Sequence, residues 1–259
     1  MIPLLLLLPL FLLALAFQRH LLFPAPKRNA VLSGGHHAIM PIVLTTAAGK
    51  LHGYYARPHA ESASPPRGLI YFNGRREHPT SIFRSLAQLP GHHVFCFRYP
   101  GLGFALRKPC EAQMIAISLA AFDGFSAHAS IRPEHMTVAG RSLGSGLAVN
   151  VAARRKPASL ILISPFDRLA NVLSRRFPLI AERFLKDKYD TVDVVSEVDC
   201  PCLLIVGEVD DTIPATISRR LFAGWPGELS VVALAASGHQ GILKRQDVHE
   251  LLGSFVARG

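Results

Sequence analysis

From residue 42 onward, the chain alternates short runs rich in apolar and β-branched residues with longer stretches of helical pattern. The runs predicted as strands are 42–46, 50–57, 68–72, 93–97, 136–139, 160–163, 203–206 and 229–234. The stretches predicted as helices lie near 79–89, 111–127, 143–155, 172–186, 214–223 and 246–256. Alternating strands and helices form parallel βαβ units, and continuous apolar strands indicate a sheet covered on both faces. We predict an α/β fold with a mostly parallel sheet of about eight strands and helices on both faces.

The composition agrees with a globular protein of this class. Apolar residues make up 49% of the 259 residues and charged residues 18%, the reverse of a disordered chain. We predict one domain over residues 42–259, with a hairpin around Ala48-Gly49 and its chemistry in loops at the carboxyl ends of the strands. Residues 165–200, the longest segment between strands, are expected to form a covering helix with loops rather than a mobile lid.

A strongly apolar segment precedes this domain. Residues 2–17 form a run of 16 uncharged, apolar-type positions, close to the lower limit of ~17 residues for a membrane-spanning helix. Because the run lacks the preceding basic residues of a signal peptide, we favour an uncleaved single-pass anchor over residues 1–23 and a linker over 24–41. Residues 14–16, Ala-Leu-Ala, resemble a cleavage site, which leaves a cleaved signal as the alternative.

The net charge of +10 is concentrated near that segment. The first 110 residues contain 12 basic residues (Lys or Arg) and 2 acidic residues (Asp or Glu), whereas the remaining residues contain 16 basic and 16 acidic residues. A basic region beside an apolar segment suits an anionic lipid surface, although a solvated basic face explains it equally well. Basic residues after the apolar run favour a cytoplasmic domain, with export as the alternative. We find no nucleic-acid-binding motif and predict no nucleic-acid partner.

The cysteines and histidines do not follow a metal-binding pattern. The chain has no Cys-x-x-Cys and no His-Glu-x-x-His, so we predict no metal site. Cys200 and Cys202 are too close for an easy mutual disulfide, whereas Cys96 and Cys110 are able to pair but not required to. The disulfide state and the oligomeric state stay open.

The segment Gly140-Arg141-Ser142-Leu143-Gly144 follows a predicted strand and opens a predicted helix. The glycines of a Gly-x-Ser-x-Gly sequence allow a turn so sharp that the serine side chain stands clear of the backbone, beside the positive end of the helix dipole. This context predicts Ser142 as a nucleophile. A glycine-rich turn in which Ser142 only caps the helix is the alternative.

A nucleophilic serine needs a base, and the base needs an acid that orients it. Asp210 follows the predicted strand 203–206, and His239 follows a glycine after the last predicted strand. Together with Ser142 they give the order serine, aspartate, histidine along the chain. Asp211, one position further on, and His249, in a predicted helix, are the spare candidates for acid and base.

These motifs, with the Asn73-Gly74 turn, resemble the α/β-hydrolase superfamily from about residue 42 to the C-terminus. Within it, the chain is similar to small, N-terminally anchored serine hydrolases of the peptidase- or esterase-like branch, which lack a large cap domain. The family pattern Gly-x-x-Asp-x-x-(Val/Ile)-Pro fits Gly207–Pro214 and favours Asp210 over Asp211. The resemblance implies an acyl-enzyme that water hydrolyses, and therefore no cofactor.

The resemblance also implies two backbone donors for the oxyanion that develops during acyl transfer. One is the N–H of Leu143, and the other is the N–H of Arg75, in the turn after the strand 68–72. Asn73 stands where the family usually has histidine, and we expect Asn73 and Gly74 to border the substrate.

Arg75 and Arg141 both flank the predicted site. A cationic entrance would favour a substrate with a carboxylate or phosphate near the scissile bond, whereas pairing with nearby carboxylates is the alternative. We predict a hydrolase that cleaves an ester, thioester or amide bond of a small-molecule or lipid-like acyl substrate. The alternatives are an acyltransferase with the same triad and a non-catalytic binding protein on this fold.

Overall fold

A computed structural model describes residues 18–20, 39–58, 65–75, 77, 80–100, 108–175 and 182–258. The predicted anchor lies outside the described residues apart from 18–20, and the predicted linker apart from 39–41, which belong to the first strand. Within the described ranges, no helix combines the length and the apolar composition that a membrane span requires. The anchor therefore stays a prediction.

The described residues contain one sheet of eight strands, as the sequence predicts. The strands are β1 (Ile39–Thr46), β2 (Gly49–Ala56), β3 (Arg67–Phe72), β4 (His92–Phe97), β5 (Met136–Arg141), β6 (Ser159–Ile163), β7 (Cys202–Gly207) and β8 (Leu229–Leu234). Their order across the sheet is β1-β2-β4-β3-β5-β6-β7-β8. The pairs β1–β2 and β2–β4 are antiparallel and the others are parallel, which confirms the mostly parallel sheet.

The central strands are apolar because both faces of the sheet are covered. Every residue of β5, β6 and β7 is buried, whereas the edge strands β1 and β8 are mostly exposed or half-buried, with one buried residue each, Leu44 and Leu234. The first hairpin turns one residue earlier than predicted, at Ala47 and Ala48. Gly49 begins β2 with a φ of 98°, a backbone conformation that favours glycine.

Six helices of the described residues cover the sheet. They are α1 (Thr80–Leu86), α2 (Glu111–Ala129), α3 (Leu143–Arg155), α4 (Leu169–Ser174), α5 (Ala215–Phe222) and α6 (Gln246–Val256). Side chains of α2, α3 and α5 pack in one core, on one face of the sheet, and those of α1 and α6 pack in a second core on the other face. Helix α6 shows why: Val248, Leu252 and Val256 recur every four residues and form its buried side.

The segment between β6 and β7 differs from its prediction. The sequence predicts a helix near 172–186, whereas the structure has the short helix α4 and no other α-helix among the residues it describes there. Three single-turn 3₁₀ helices follow, at Glu182–Phe184, Thr191–Asp193 and Val195–Glu197. Arg168, directly before α4, pairs with Asp190 at 3.0 Å and bonds to Asp193. These long-range ion pairs fold the segment back on itself.

The short described stretch at residues 18–20 contacts this same segment. Arg19 forms a two-armed ion pair with Asp187, at 2.6 Å from Nε to Oδ2 and 3.1 Å from Nη2 to Oδ1. The side chain of Gln18 donates to the Phe184 carbonyl and accepts from the Lys186 N–H. Residues 18–20 are thereby held against the segment between β6 and β7.

All four cysteines are free thiols, so the optional Cys96–Cys110 disulfide does not form. Cys96, Cys200 and Cys202 are buried. Burial raises the pKa of Cys200 to about 11, so this thiol stays protonated at neutral pH.

Candidate active site

Three of the predicted site residues follow strands of the parallel part of the sheet. Ser142 directly follows β5, Asp210 follows β7 and His239 follows β8. The carboxyl ends of parallel strands meet at one edge of a sheet, where loops converge on a common site. The topology therefore places the three residues at one edge.

Ser142 lies on a sharp turn between β5 and α3. Its φ of 51° and ψ of −121° lie outside the regions that most residues adopt, and its N–H donates to the Ile163 carbonyl at 2.9 Å. The turn requires glycines on both sides. A Cβ on Gly140 would lie 2.4 Å from the Gly144 carbonyl oxygen, and a Cβ on Gly144 would lie 2.1 Å from the Phe72 carbonyl oxygen. Only glycine fits these two positions.

Helix α3 begins at Leu143, next to the serine. The first N–H groups of a helix have no partner inside it and point outward from the positive end of the dipole. The Ser145 hydroxyl donates to the Ser142 carbonyl at 2.6 Å, which helps hold the turn. The structure thus directs helix N–H groups, including that of Leu143, toward the Ser142 side of the site.

Asp210 and His239 are in direct contact. His239 Nδ1 lies 2.7 Å from Asp210 Oδ2, and both side chains are at least nine-tenths buried. The other carboxylate oxygen accepts from the N–H groups of Thr212 and Ile213 at 2.9 and 2.8 Å. Because every acceptor position of Asp210 faces a donor, the carboxylate holds the imidazole ring in a fixed orientation.

These contacts also set the charge state of Asp210. Burial favours its neutral form, but the hydrogen bond and charge of His239 favour the carboxylate more strongly, together with the Ile213 N–H and the Ser164 hydroxyl. The net effect holds the pKa of Asp210 below its ordinary value. The acid is therefore ionised throughout the neutral pH range.

Ser164 is a member of the site that the sequence analysis missed. It follows β6, has a φ of 44°, and donates its hydroxyl to Asp210 Oδ2 at 2.9 Å. Its N–H donates to the Ile205 carbonyl at 2.8 Å. The sequence shows only a serine directly after a predicted strand, and its adjacency to the strand before Asp210 comes from the fold.

The two spare candidates have other hydrogen-bond partners. Asp211 is exposed, and its carboxylate accepts from the Thr212 hydroxyl at 3.2 Å. His249 lies in α6, where Nε2 bonds to the Leu243 carbonyl at 2.9 Å. Neither forms a hydrogen bond with Asp210 or His239 within the part of the chain that the structure describes.

The turn after β3 lies beside the serine. A Cβ on Gly74 would lie 3.4 Å from Ser142 Cβ. Asn73 is buried and donates its side-chain amide to the carbonyls of Gly74 and Glu77 at 3.2 and 3.1 Å. The Gly74 N–H donates to the Glu77 carboxylate at 2.9 Å. Asn73 and Gly74 therefore support the turn from within, and the expectation that they border the substrate stays a prediction.

Arg141 is also placed differently from its prediction. Its side chain is only 5% exposed, and its guanidinium bonds to the Glu77 carboxylate at 3.2 Å and to the His239 carbonyl at 2.5 Å. An arginine used in this way adds no positive charge to the entrance. The expectation of a substrate contact through Arg141 is corrected, since the alternative of pairing with a carboxylate is the one observed.

Arg141 also connects the serine to the histidine. It precedes Ser142 and bonds to the backbone of His239, while no hydrogen bond joins the Ser142 hydroxyl to the imidazole in the described residues. Such bonds commonly tighten only when substrate is bound. The roles of Ser142, Asp210 and His239 therefore remain predictions that this arrangement makes testable.

A cavity of about 350 Å³ opens in front of Ser142. Its apolar wall consists of Phe166, Leu169, Val172, Leu173 and Ile213. Its polar lining includes Arg75, Arg175 and Asp211 beside Ser142 and Leu143. Arg75 and Leu143, the two residues predicted to donate backbone N–H groups to an oxyanion, thus line the same cavity as the serine.

Comparison with known proteins identifies the family. An uncharacterized protein of Mycobacterium tuberculosis is 33% identical over 230 residues, which cover 86% of this chain and 80% of that protein. The human alpha/beta hydrolase domain-containing protein 17B is 27% identical over 179 residues, which cover 69% of this chain and 59% of that protein. The chain belongs to the α/β-hydrolase family. Another relative, the lysophosphatidylserine lipase ABHD12 of Xenopus tropicalis, is 29% identical over 213 residues, covering 73% of this chain and 54% of that protein.

Solved structures agree on the α/β-hydrolase fold. An acetyl xylan esterase from Paenibacillus sp. R4 has a TM-score of 0.67 at 16% identity, covering 96% of this chain and 93% of the esterase. An esterase from Pyrococcus furiosus has a TM-score of 0.68 at 14% identity, covering 91% and 97%. No family profile matches the chain. The predicted fold and the predicted family of hydrolases are confirmed.

Proposed function

We propose that this α/β-hydrolase is a serine hydrolase that cleaves an acyl ester through Ser142, His239 and Asp210. The observation that carries the proposal is the 2.7 Å contact between His239 Nδ1 and Asp210 Oδ2, at the sheet edge where Ser142 lies on its sharp turn. A buried carboxylate that accepts the Nδ1 hydrogen leaves Nε2 as the nitrogen that takes a proton from a nucleophile.

In the proposed reaction, the Ser142 hydroxyl attacks the acyl carbonyl while His239 Nε2 accepts its proton. The N–H groups of Leu143 and Arg75 stabilise the oxyanion, and one such donor typically lowers the barrier by about 3 kcal/mol. His239 then protonates the leaving alcohol, and an acyl-enzyme remains. Water, deprotonated by the same imidazole, attacks the acyl-enzyme and releases the carboxylic acid.

The cavity favours an amphiphilic substrate. Its apolar wall suits an acyl chain, and its polar lining includes Arg75 and Arg175 together with Asp211. A guanidinium group attracts an anionic group next to the scissile ester. A relative named as a lysophosphatidylserine lipase agrees with a lipid-like acyl ester of this kind. We therefore propose an ester that combines an acyl chain with a carboxylate or phosphate.

The nucleophile is tested with a fluorophosphonate probe. We expect the purified protein to be labelled on Ser142, and we expect Ser142→Ala to lose both labelling and ester hydrolysis. Ser174→Ala is the control, because Ser174 is exposed at the end of the nearby helix α4. Labelling that persists in Ser142→Ala would reject the proposal. Product analysis with an added alcohol distinguishes hydrolysis from acyl transfer.

The substrate class is tested with neutral and anionic esters of the same acyl chain. We expect Arg175→Ala and Arg75→Ala each to lower kcat/KM for the anionic ester about tenfold and to leave the neutral ester within about twofold. Arg132→Ala is the control, since Arg132 is 78% exposed and does not line the cavity. Equal losses on both esters would remove the anionic group from the proposal.

A further inference from the structure

Glu77 is a buried carboxylate that the proposed reaction does not use. Its side chain is 3% exposed, and it lies just after the turn that carries Arg75. It accepts hydrogen bonds from the Tyr71 hydroxyl at 3.0 Å, from the Gly74 N–H at 2.9 Å and from Arg141 Nη1 at 3.2 Å. A carboxylate is rarely buried unless it is paired and hydrogen-bonded, so this cluster is a built feature of the fold.

Tyr71 acts as a donor in this cluster at all ordinary pH values. Burial raises the pKa of Tyr71 well above its usual value, and the neighbouring Glu77 carboxylate raises it further. The hydroxyl therefore keeps its hydrogen and donates it to Glu77. This hydrogen bond and the charge of the Arg141 guanidinium together offset the desolvation penalty of the buried Glu77 carboxylate.

The cluster contacts three separate parts of the site. Glu77 holds the N–H of Gly74 in the oxyanion turn, and its partner Arg141 is the residue directly before Ser142. The second arm of Arg141, Nη2, donates to the His239 carbonyl at 2.5 Å. The ion pair thus bonds to the turn after β3 and to the loop after β8, and Arg141 is covalently joined to Ser142 at the end of β5.

Two different residues hold His239 in this arrangement. Asp210 binds the imidazole ring, whereas Arg141 binds the backbone of the same residue. In the oxyanion turn, Glu77 accepts the Gly74 N–H and so fixes the backbone directly before Arg75, which lines the cavity. A loss of the pair would release both the histidine loop and the oxyanion turn relative to Ser142.

We propose that Glu77 and Arg141 are positioning residues that align the oxyanion turn and His239 with the nucleophile. This inference rests on the proposed serine hydrolase activity. Neither residue touches the reacting atoms. Their effect comes from the two-armed guanidinium, which binds a carboxylate and a carbonyl in fixed directions, a geometry that the single ammonium of lysine does not reproduce.

The test compares Arg141→Lys and Glu77→Gln with the wild type. Both replacements keep approximate size, and lysine also keeps the charge. We expect kcat on a neutral ester to fall at least 30-fold in Arg141→Lys while KM stays within about threefold, because alignment affects the transition state more than substrate binding. Arg155→Lys is the control, because Arg155 lies at the end of α3 and pairs with Asp123 on the surface.

A second measurement separates positioning from stability. A trifluoromethyl ketone inhibitor adds to the serine and develops an oxyanion, so its affinity should fall in parallel with kcat/KM in both variants. Activity is expressed per site titrated by the fluorophosphonate, which removes any unfolded fraction. A third variant, Glu77→Gln/Arg141→Gln, leaves no unpaired charge and is expected to fold and to show the same loss.

The outcomes distinguish this inference from the proposed function. If Ser142→Ala is inactive but the folded Glu77 and Arg141 variants keep wild-type kcat and inhibitor affinity per titrated site, the positioning role is wrong and the proposed function stands. If Ser142→Ala retains full activity, the proposed function itself fails.

Discussion

Asp210→Asn tests the geometry of the candidate site most directly. The Thr212 and Ile213 N–H groups, at 2.9 and 2.8 Å, will hold the amide oxygen of the asparagine. The amide nitrogen then takes the place of Oδ2, where it faces His239 Nδ1 and the Ser164 hydroxyl. An NH₂ group only donates, so His239 must accept at Nδ1 and carry its hydrogen at Nε2.

An imidazole in that tautomer cannot take a proton from Ser142. The corresponding change in a well-studied serine protease lowers kcat about 10⁴-fold, equivalent to about 5 kcal/mol of barrier. We expect a loss of the same order here. The fold should survive, because the Ser164 hydroxyl is able to accept from the new amide as well as to donate.

The assay is ester hydrolysis under saturating substrate, with kcat expressed per folded protein from circular dichroism and urea denaturation. Ser164→Ala is the matched variant, because it removes one donor to the same carboxylate but leaves an acceptor for His239. It should cost only about tenfold in kcat, the scale of one charge-assisted hydrogen bond. A folded Asp210→Asn protein that keeps more than a tenth of the wild-type kcat would refute the assignment.

Three further predictions concern stability. Gly144→Ala should prevent folding into a soluble, cooperative unit, because its Cβ would lie 2.1 Å from the Phe72 carbonyl oxygen, as measured by soluble yield and thermal melting. Arg19→Ala should lower the free energy of unfolding in urea by about 2 kcal/mol, because it leaves the buried Asp187 carboxylate without its cation while Arg19 itself is partly exposed. The pKa of Asp210 is lower in the folded protein than in the unfolded chain. The Asp210 carboxylate therefore stabilises the fold above about pH 4, and this stabilisation is lost as the pH falls through the folded pKa. The urea midpoint of the wild type should drop more steeply below pH 4 than that of Asp210→Asn.

Each of these predictions has a control within the chain. Gly224→Ala should be tolerated, because a Cβ there meets no atom within 4 Å. Lys156→Ala removes an exposed ion pair with Asp199, which solvent screens, and should destabilise the fold much less than Arg19→Ala. Equal effects of Gly144→Ala and Gly224→Ala, equal effects of Arg19→Ala and Lys156→Ala, or parallel pH curves for the wild type and Asp210→Asn would each contradict the corresponding prediction.

The features that the sequence predicted correctly are those encoded over a few residues. Strands β5, β6 and β7 are short, largely apolar runs. Such runs are typical of parallel strands that helices cover on both faces of a sheet. The sharp turn at Ser142 is encoded by Gly140 and Gly144, which occupy positions with no room for a side chain. In both cases, a few neighbouring residues are enough to determine the local structure.

The features that the sequence did not predict depend on contacts between distant residues. The helix expected near 172–186 fits its local pattern, but Arg168 pairs with Asp190 across the segment and reverses the chain. Ser164 was missed because a serine after a strand has no pattern of its own. Its role appears only when the neighbouring strand brings Asp210 within 2.9 Å.

Arg141 shows why the charge of the entrance did not follow from the positions of the arginines. Glu77 lies 64 residues earlier and is one of only two acidic residues among the first 110. Once the fold buries that carboxylate, it requires a cation, and Arg141 is the cation that meets it. The charge of Arg141 is then neutralised by Glu77 inside the protein. We therefore expect any preference for anionic esters to come from Arg75 and Arg175, which line the cavity. Arg141→Lys should consequently slow neutral and anionic esters by the same factor, whereas Arg175→Ala should slow only the anionic one.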